Sequence, residues 1–339
     1  MYKAKNDVPV FLIFFNRPDI FRHVFEAVKK ARPTKLFLAC DGPRPGKPSD
    51  EENIRKCKKI AEDIDWECEV YKSYSDINLG CGMRMYSGIS WAFEYVDRLL
   101  IFEDDCVPSQ DFFPFCQELL ERYKDDDRIY MIDAMNHLGE YHAVDASYFF
   151  GQPCCWGWAT WKRAWTKVEY NMEFCNNPYY LECVQKKLPY YRNAIARGNM
   201  LKAKLEEGEK LSLWTYQNGM AMALQSQMAI VPSVNMITNI GLTEDSGHAV
   251  NKLEKLSKRQ QQYYGQPFGS MSFPLKHPKY MVEDLMYYEE VEKKFKPTAF
   301  SRIEGYMRRI IYADQGEIKE LIKKIPNKIL RKEKRKNGR

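Results

Sequence analysis

Apolar runs alternate with amphipathic stretches along the first 120 or so residues. Val10 to Phe15 and Leu36 to Cys40 are short apolar runs typical of buried strands, and turn-forming residues follow each of them. After the first run, apolar residues recur at helical spacing from Phe21 to Val28. Strands that alternate with helices predict an α/β fold, in which helices cover the faces of a parallel or mixed sheet.

The same patterns predict further elements along the chain. Strands are predicted at Glu67 to Tyr71, from Leu99 up to the acidic residues at 103, at Ile129 to Ile132 and at Met228 to Val231. Helical stripes run from Ile54 to Ala61, from Met85 to Val96 and from Phe112 to Tyr123. The strand that begins at Leu99 therefore lies between two predicted helices.

Three consecutive carboxylates, Glu103, Asp104 and Asp105, end that strand. Adjacent acids repel one another, so a folded protein keeps them together mainly when a positive group, usually a divalent cation, lies between them. Ligands of open α/β sheets bind outside the carboxyl ends of the parallel strands. Carboxylate oxygens suit Mg²⁺ or Mn²⁺ better than zinc. The sequence therefore predicts a metal site here, and the alternative is a solvated acidic turn.

Four other residues complete the predicted site. Arg17 and Arg84 are candidates for stabilising charge on a nucleotide diphosphate that acts as a leaving group. Asp41 follows the second strand and either accepts a hydrogen bond from a base or ribose or simply forms a turn. His248, in a glycine-containing segment, is either a further metal ligand or an ordinary loop histidine.

Four tryptophans lie between residues 156 and 165. Trp161 and Trp165 are expected in the core. Trp156 and Trp158 flank a glycine, and together with Trp214 they are predicted to stack on a sugar or acceptor.

The ten cysteines show no zinc-site spacing and are expected to be free thiols.

Positive charge is concentrated at the end of the sequence. Residues 319–339 hold ten basic and two acidic residues, a net of +8, so that the rest of the chain carries −2 of the overall +6. This tail also holds apolar residues and is expected either to lie on an anionic membrane surface or to be solvated.

The rest of the chain lacks the interleaved basic and aromatic residues of a nucleic-acid site. Without an export signal or a long apolar segment, a cytoplasmic protein is predicted, peripheral on the inner face of the membrane if the tail binds there.

Several segments resemble the GT-A-fold glycosyltransferases, most closely bacterial nucleotide-diphospho-sugar transferases similar to N-acetylglucosaminyltransferase I. In chain order they are FLIFFNRP, LFLACDGPR, NLGCGMRMYSGISWAFE, LLIFEDDCVPSQDFF, YFFGQPCCWGWATWKRAW and PSVNMITNIG. The resemblance covers about residues 8–280. It implies a GT-A catalytic domain at 1–285, in which helices flank a Rossmann-like, mixed and mostly parallel sheet, and a helical, basic extension at 286–339.

The resemblance also implies roles for individual residues. Asp105 would bind Mn²⁺, Asp104 would contact the ribose and Glu103 the donor sugar, while Arg17 and Asp41 would hold the nucleotide. An inverting displacement at the anomeric carbon is implied, in which an acid deprotonates the acceptor hydroxyl.

The chain departs from the family pattern at this last role. Relatives usually carry Asp directly after a tryptophan, whereas here Thr215 follows Trp214, and a threonine hydroxyl is no general base at neutral pH. Either another acid such as Glu244 or Asp245 takes the proton, or the mechanism differs, or the protein is weakly active. Asp245, with Glu103 and Asp104, completes the predicted catalytic set.

The sequence thus predicts a metal-dependent glycosyltransferase that moves a sugar, with a UDP-sugar as the expected donor, to a surface glycan or a lipid-linked oligosaccharide. The first alternative is a non-catalytic glycan-binding or scaffold protein with a degenerate site. The second is a nucleotidyltransferase, but the residues after the first strand, Asn16-Arg17-Pro18, lack the glycine-rich loop that would hold a triphosphate.

Overall fold

The structure is a computed structural model and describes residues 1–212, 214–242, 252–264 and 266–313. The strands are β1 Val10–Phe14, β2 Lys35–Cys40, β3 Glu69–Tyr74, β4 Arg98–Glu103, β5 Cys106–Pro108, β6 Ile129–Asp133, β7 Tyr148–Gly151, β8 Trp158–Trp161, β9 Met228–Pro232 and β10 Ile237–Asn239. The α-helices are α1 Pro18–Ala31, α2 Pro48–Ala61, α3 Cys81–Ala92, α4 Phe112–Arg122, α5 Lys162–Trp165, α6 Pro178–Lys187, α7 Ala194–Glu206, α8 Thr215–Leu224, α9 Lys258–Tyr264, α10 Leu285–Phe295 and α11 Ala299–Ile311.

Within these residues, eight strands form one mixed sheet in the order β3-β2-β1-β4-β8-β6-β9-β7. The first four strands in this order run parallel to one another. β8 pairs antiparallel with both β4 and β6, β9 pairs parallel with β6, and β7 pairs antiparallel with β9. The predicted α/β class with a mixed, mostly parallel sheet is therefore confirmed.

Both faces of the sheet are covered, because successive side chains of a strand point to opposite sides. In β1, Val10 and Leu12 belong to a buried core that also holds residues of α1, α2 and α4. Phe11, between them, belongs to a second buried core with residues of α3, α5 and α8. The apolar runs of the parallel strands are continuous for this reason.

A helical segment joins β8 to β9 and contains α5 to α8. Asn177 caps α6 by accepting a hydrogen bond from the N–H of Tyr179, and Pro178 occupies the first turn, where no donor is needed. This segment has a core of its own, which includes Leu181, Leu201 and Met220. The sequence patterns did not predict these helices.

The chain divides into two compact units. The first contains residues 1–241 and 266–292, and with them the whole sheet. The second contains residues 242–265 and 293–339; within it, the backbone carbonyls of Lys293 and Lys296 accept hydrogen bonds from Arg259 at 2.8 and 2.9 Å. The predicted division at residue 285 remains a prediction.

Candidate functional site

The polar side chains predicted from the sequence lie at the carboxyl ends of neighbouring parallel strands. Arg17 follows β1 and is the N-cap residue of α1, Asp41 follows β2, and Glu103 is the last residue of β4. β1 lies between β2 and β4, and Glu103 is in register with Ile13 of β1. Parallel pairing therefore brings residues that are far apart in sequence to one edge of the sheet.

Arg17 is the cation opposite the carboxylates. Its Nη2 makes a close ion pair with Asp104 and lies 3.0 Å from Oδ2 of Asp105, while its Nε is 3.4 Å from Oδ2 of Asp104. The Arg17 side chain is 18% exposed, so the pairs are shielded from water. Burial alone would lower the pKa of Arg17, but Asp104 and Asp105 raise it above its usual value, and the guanidinium stays charged.

One guanidinium does not neutralise three acids. Burial, and then the charges of Asp105 and Asp104, raise the pKa of Glu103 to about 8. Burial also raises the pKa of Asp104, against the opposing effect of Arg17. The acids therefore disfavour one another's charged forms, and a cation bound among them would relieve this repulsion.

Asp105 is held by residues from a distant part of the chain. β5, directly after the acids, pairs antiparallel with β10, with Cys106 opposite Asn239. The Asn239 amide donates to Oδ1 of Asp105 at 3.2 Å, and the N–H of Ile240 donates to the Asp105 carbonyl at 2.9 Å. Gly241 packs directly against the carboxylate: a Cβ at this position would lie 2.7 Å from Cγ of Asp105. Only glycine leaves room for Asp105 as it stands.

Asp41 and Arg84 are occupied with holding the surrounding loops. Asp41 accepts hydrogen bonds from the N–H groups of Leu79 at 2.8 Å and Gly80 at 2.9 Å, and so fixes the start of α3. Arg84, 5% exposed, donates to the carbonyl of Cys40 at 3.2 Å and to Ser73. Both residues tie strand ends together in this structure, and their predicted contacts with a donor remain predictions.

The tryptophans separate into buried and partly exposed groups. Trp161 and Trp165 are buried as expected, with 3% and 4% exposure. Trp158 and Trp214 are also buried, and their rings stack with centroids 5.7 Å apart. In this structure each ring covers one face of the other and little of either is exposed, and their predicted stacking on a sugar remains a prediction. Trp156 is partly exposed, and its predicted role stays open.

The residues present fit a hard divalent cation that keeps water or phosphate ligands. Asp105, with its acidic neighbours, supplies the one or two carboxylates that Mg²⁺ or Mn²⁺ usually takes from a protein in phosphate-binding sites. Among the described residues, no group of three or more His, Cys, Asp and Glu side chains is arranged so that it could hold a metal ion by itself. The candidates Glu244, Asp245 and His248 lie outside the described residues.

One buried acid near this edge was missed from the sequence. Asp133 ends β6 and has no exposed surface; its Oδ2 accepts a hydrogen bond from the N–H of Cys154 at 2.9 Å, and burial raises its pKa well above the usual range. Its Oδ1 has no hydrogen-bond partner among the described residues. The sequence contained a signal for this acid, since Asp133 follows the apolar run at 129–132 in the same way that Glu103 follows the apolar run at 99–102.

The cysteines agree with the sequence-based expectation. All ten cysteines lie in the described part of the chain and are free thiols.

No helix in the part of the chain that the structure describes has the length and apolar character needed to cross a membrane.

No protein-family model and no curated protein matches this chain. Solved structures do match. UDP-glucose pyrophosphorylase in complex with UDP-glucose is 7% identical, with 68% of this chain and 91% of that chain covered and a TM-score of 0.33. The inositol-1-phosphate CTP transferase from T. maritima is 10% identical, with 72% and 91% covered and a TM-score of 0.34.

A third solved structure, described as mannose-1-phosphate geranyltransferase from Thermus thermophilus, is 10% identical, with 70% of this chain and 75% of that chain covered and a TM-score of 0.30. At TM-scores and identities this low, none of these likenesses supports a conclusion about function.

Proposed function

We propose that this chain is a metal-dependent glycosyltransferase that transfers a sugar from a nucleotide-sugar, a UDP-sugar in the first instance, to a hydroxyl of a glycan or glycolipid acceptor. The observation that carries the proposal is the cluster of Glu103, Asp104 and Asp105 at the carboxyl end of β4, opposed by Arg17. Such a cluster at this edge of an α/β sheet suits a cation and a diphosphate better than it suits a purely structural role.

Each residue of the cluster has a distinct part in this proposal. Asp105 would hold Mn²⁺ or Mg²⁺, which when bound supplies positive charge for the diphosphate leaving group. Arg17 pairs with Asp104 and Asp105. It would bind a phosphate oxygen of the nucleotide after one of these ion pairs breaks. Asp104 would accept a hydrogen bond from the ribose, and Glu103 one from the donor sugar.

The base that deprotonates the acceptor must be an acidic residue at another position, because residue 215 is a threonine. Thr215 is the first residue of α8, next to the buried Trp214, and its hydroxyl does not ionise near neutral pH. We propose Asp245 for this role from the sequence alone.

The test is a calorimetric titration of the full chain with UDP, GDP and CMP, each with and without Mn²⁺. We expect UDP to bind only with the metal. Asp105→Ala should abolish this binding without unfolding the protein, while Asp145→Ala, at an exposed acid that pairs with Lys276, serves as the matched control. Unchanged UDP affinity of Asp105→Ala in Mn²⁺ would refute the metal assignment, and binding of no nucleotide by the wild type would refute the transferase.

Thr215 favours one other candidate, a non-catalytic glycan-binding or scaffold protein that kept the fold and lost the base. The two candidates differ in turnover. Hydrolysis of a UDP-sugar or transfer from it at a Mn²⁺-dependent rate, lost in Asp105→Ala, would exclude the non-catalytic protein.

We also propose that the acceptor is met at an anionic membrane surface. One side of α11 presents four exposed apolar side chains at helical spacing: Phe300, Ile303, Met307 and Ile311. Arg308 and Arg309 lie in its last turn, and the basic residues 319–339 follow. An apolar helical face flanked by cations is typical of peripheral binding to anionic bilayers.

Sedimentation with vesicles tests this membrane proposal. The full chain should bind vesicles of phosphatidylcholine with phosphatidylglycerol and not those of phosphatidylcholine alone. Ile303→Ser with Met307→Ser should weaken binding, whereas the same change at Val282, an exposed apolar residue of the other compact unit, should not. Equal binding by both variants would contradict the role of α11.

A further inference from the structure

A cavity of about 280 Å³ lies away from the carboxylate cluster, at the helical segment between β8 and β9. Its walls come mainly from the turn before α7 and the starts of α7 and α8, with contributions from Gln152 and α10. This volume is slightly below the range usual for drug-sized ligands. The cavity therefore suits a single sugar unit and is too small for a whole nucleotide-sugar.

One wall of the cavity is aromatic. The rings of Tyr190 and Tyr191 are 4.9 Å apart, and the ring of Tyr288 is 5.7 Å from that of Tyr190. The Tyr190 hydroxyl donates to Glu283, and Tyr191 lies so close to Gly219 that a side chain at 219 would collide with it. These rings are thus fixed in place, and fixed aromatic faces are suitable platforms for the apolar face of a pyranose.

The cavity also has an excess of positive charge. Arg192 is paired with Glu292 at 3.2 Å, but Arg197 pairs with no carboxylate among the described residues, and its guanidinium lies 5.6 Å from the centroid of the Tyr216 ring. Helix α8 begins at Thr215 in this wall without a side-chain cap, so the positive end of its dipole adds to the charge of Arg197. A carboxylate is the natural partner for such a wall.

Gln152 contributes a polar group that also needs a partner. Its Oε1 is buried and has no hydrogen-bond donor among the described residues. Leaving a buried acceptor unpaired is costly, and a turn of the Gln152 amide toward the cavity would let a hydroxyl of a bound sugar satisfy it. Gln152 therefore points to a polyhydroxylated ligand.

The chain connects this cavity to the carboxylate edge within a few residues. Gln152 is two residues before Cys154, whose N–H donates to Asp133 at the end of β6. The nearby charges of Asp133 and Glu103 add to burial in raising the pKa of Cys154 to about 12. Two residues span at most about 7 Å, so one wall residue of the cavity lies near the carboxyl end of β6.

We propose that this cavity binds an acidic sugar unit of the acceptor, a hexuronate or a similarly carboxylated pyranose, with its carboxylate on Arg197, its ring on the tyrosines and a hydroxyl on Gln152. Its role as an acceptor site rests on the proposed transferase activity. Binding of the acidic sugar does not, and it can be measured by itself.

The experiment compares methyl β-D-glucuronide with methyl β-D-glucoside, which lacks the carboxylate, by ligand-observed NMR titration of the full chain. We expect the glucuronide to bind at least about ten-fold more tightly, the scale of one charge-assisted hydrogen bond. Arg197→Ala should remove this preference. The control Arg55→Ala, at an exposed arginine of α2 that pairs with Glu52, should retain it.

A second variant acts in the opposite direction, so that general damage to the fold cannot imitate the result. Glu292→Gln removes the negative charge beside Arg192 and should tighten glucuronide binding. Equal affinity for the two sugars in the wild type, no binding of either, or a preference that survives Arg197→Ala would overturn the proposal.

The UDP titration of the wild type separates this proposal from the proposed function. Metal-dependent UDP binding without a glucuronide preference would overturn the acidic-sugar site and leave the transferase intact. A glucuronide preference without nucleotide binding would refute the transferase and leave a carbohydrate-binding protein.

Discussion

Substitution of Gly241 by alanine tests the geometry of the carboxylate cluster through a residue that carries no charge. The added methyl carbon would lie 2.7 Å from Cγ and 2.9 Å from Cβ of Asp105, and closer still to Oδ2. Non-bonded carbon atoms prefer about 3.5–4.0 Å, so Asp105 or the 239–241 segment must move by about 0.8 Å or more.

Such a displacement is large for a metal site. Oxygen ligands lie about 2.0–2.6 Å from Mg²⁺ or Ca²⁺, and a misplacement of about 1 Å can cost about 100-fold in function. We therefore expect Gly241→Ala to weaken Mn²⁺-dependent UDP binding by about ten- to 100-fold. The Asp105 side chain is largely buried, with 14% exposure, so the crowding should also lower the free energy of unfolding, by about 1–3 kcal/mol.

The assay is the same calorimetric titration, with Gly305→Ala as the matched control. Position 305 lies in α11, where the nearest atom to an added methyl group is 3.6 Å away, an ordinary contact. Electron paramagnetic resonance of free Mn²⁺ would report metal binding without nucleotide. Identical Mn²⁺ and UDP affinities for Gly241→Ala and the wild type would refute the assignment of Asp105 as the metal ligand.

Three further predictions concern the scaffold of the site. Hydrogen bonds from Arg44 lower the pKa of Asp50 from 3.8 to about 2. The stabilisation of the fold by the Asp50 carboxylate is therefore fully present above pH 3.8 and is lost as the pH falls through about 2. Asp50→Asn should therefore cost about 1–3 kcal/mol in urea unfolding at pH 7 and much less at pH 2, and an equal cost at both pH values would contradict the assignment. Trp214→Ala should cost about 3–5 kcal/mol, because the ring is buried against Trp158; a cost below about 1 kcal/mol in the same assay would contradict this packing. Arg17→Met should lower the melting temperature in metal-free buffer, and Mn²⁺ should raise that temperature more in the variant than in the wild type; an equal rise in both would show that Arg17 does not balance the acids.

The parallel half of the sheet could be predicted from the sequence because its strands are buried on both faces. Their apolar runs are continuous and end abruptly at polar residues, as at Glu103. The position of β8 between β4 and β6 could not be predicted, since strand order depends on contacts between residues distant in sequence. Helix α6 was missed although Asn177-Pro178 is a recognisable start signal.

The carboxylate cluster was predictable because three acids are adjacent in sequence, whereas its support was not. Asn239 and Gly241 act on Asp105 from more than 130 positions away, through the pairing of β10 with β5. The mutual burial of Trp158 and Trp214 could not be predicted, because local sequence does not reveal that two distant rings cover each other. The cavity was missed for a similar reason, since its walls come from four separate parts of the chain.

The helical segment between β8 and β9 is an insertion into the sheet with a hydrophobic core of its own. It leaves and re-enters the sheet through two strands that both pair with β6. It supplies most of the cavity, while β4 carries the acids. The shape of the cavity can therefore change through this one segment, without disturbing the acids on β4. For protein engineers, the same boundaries define where a segment from another protein of this fold could be grafted to change the ligand of the cavity.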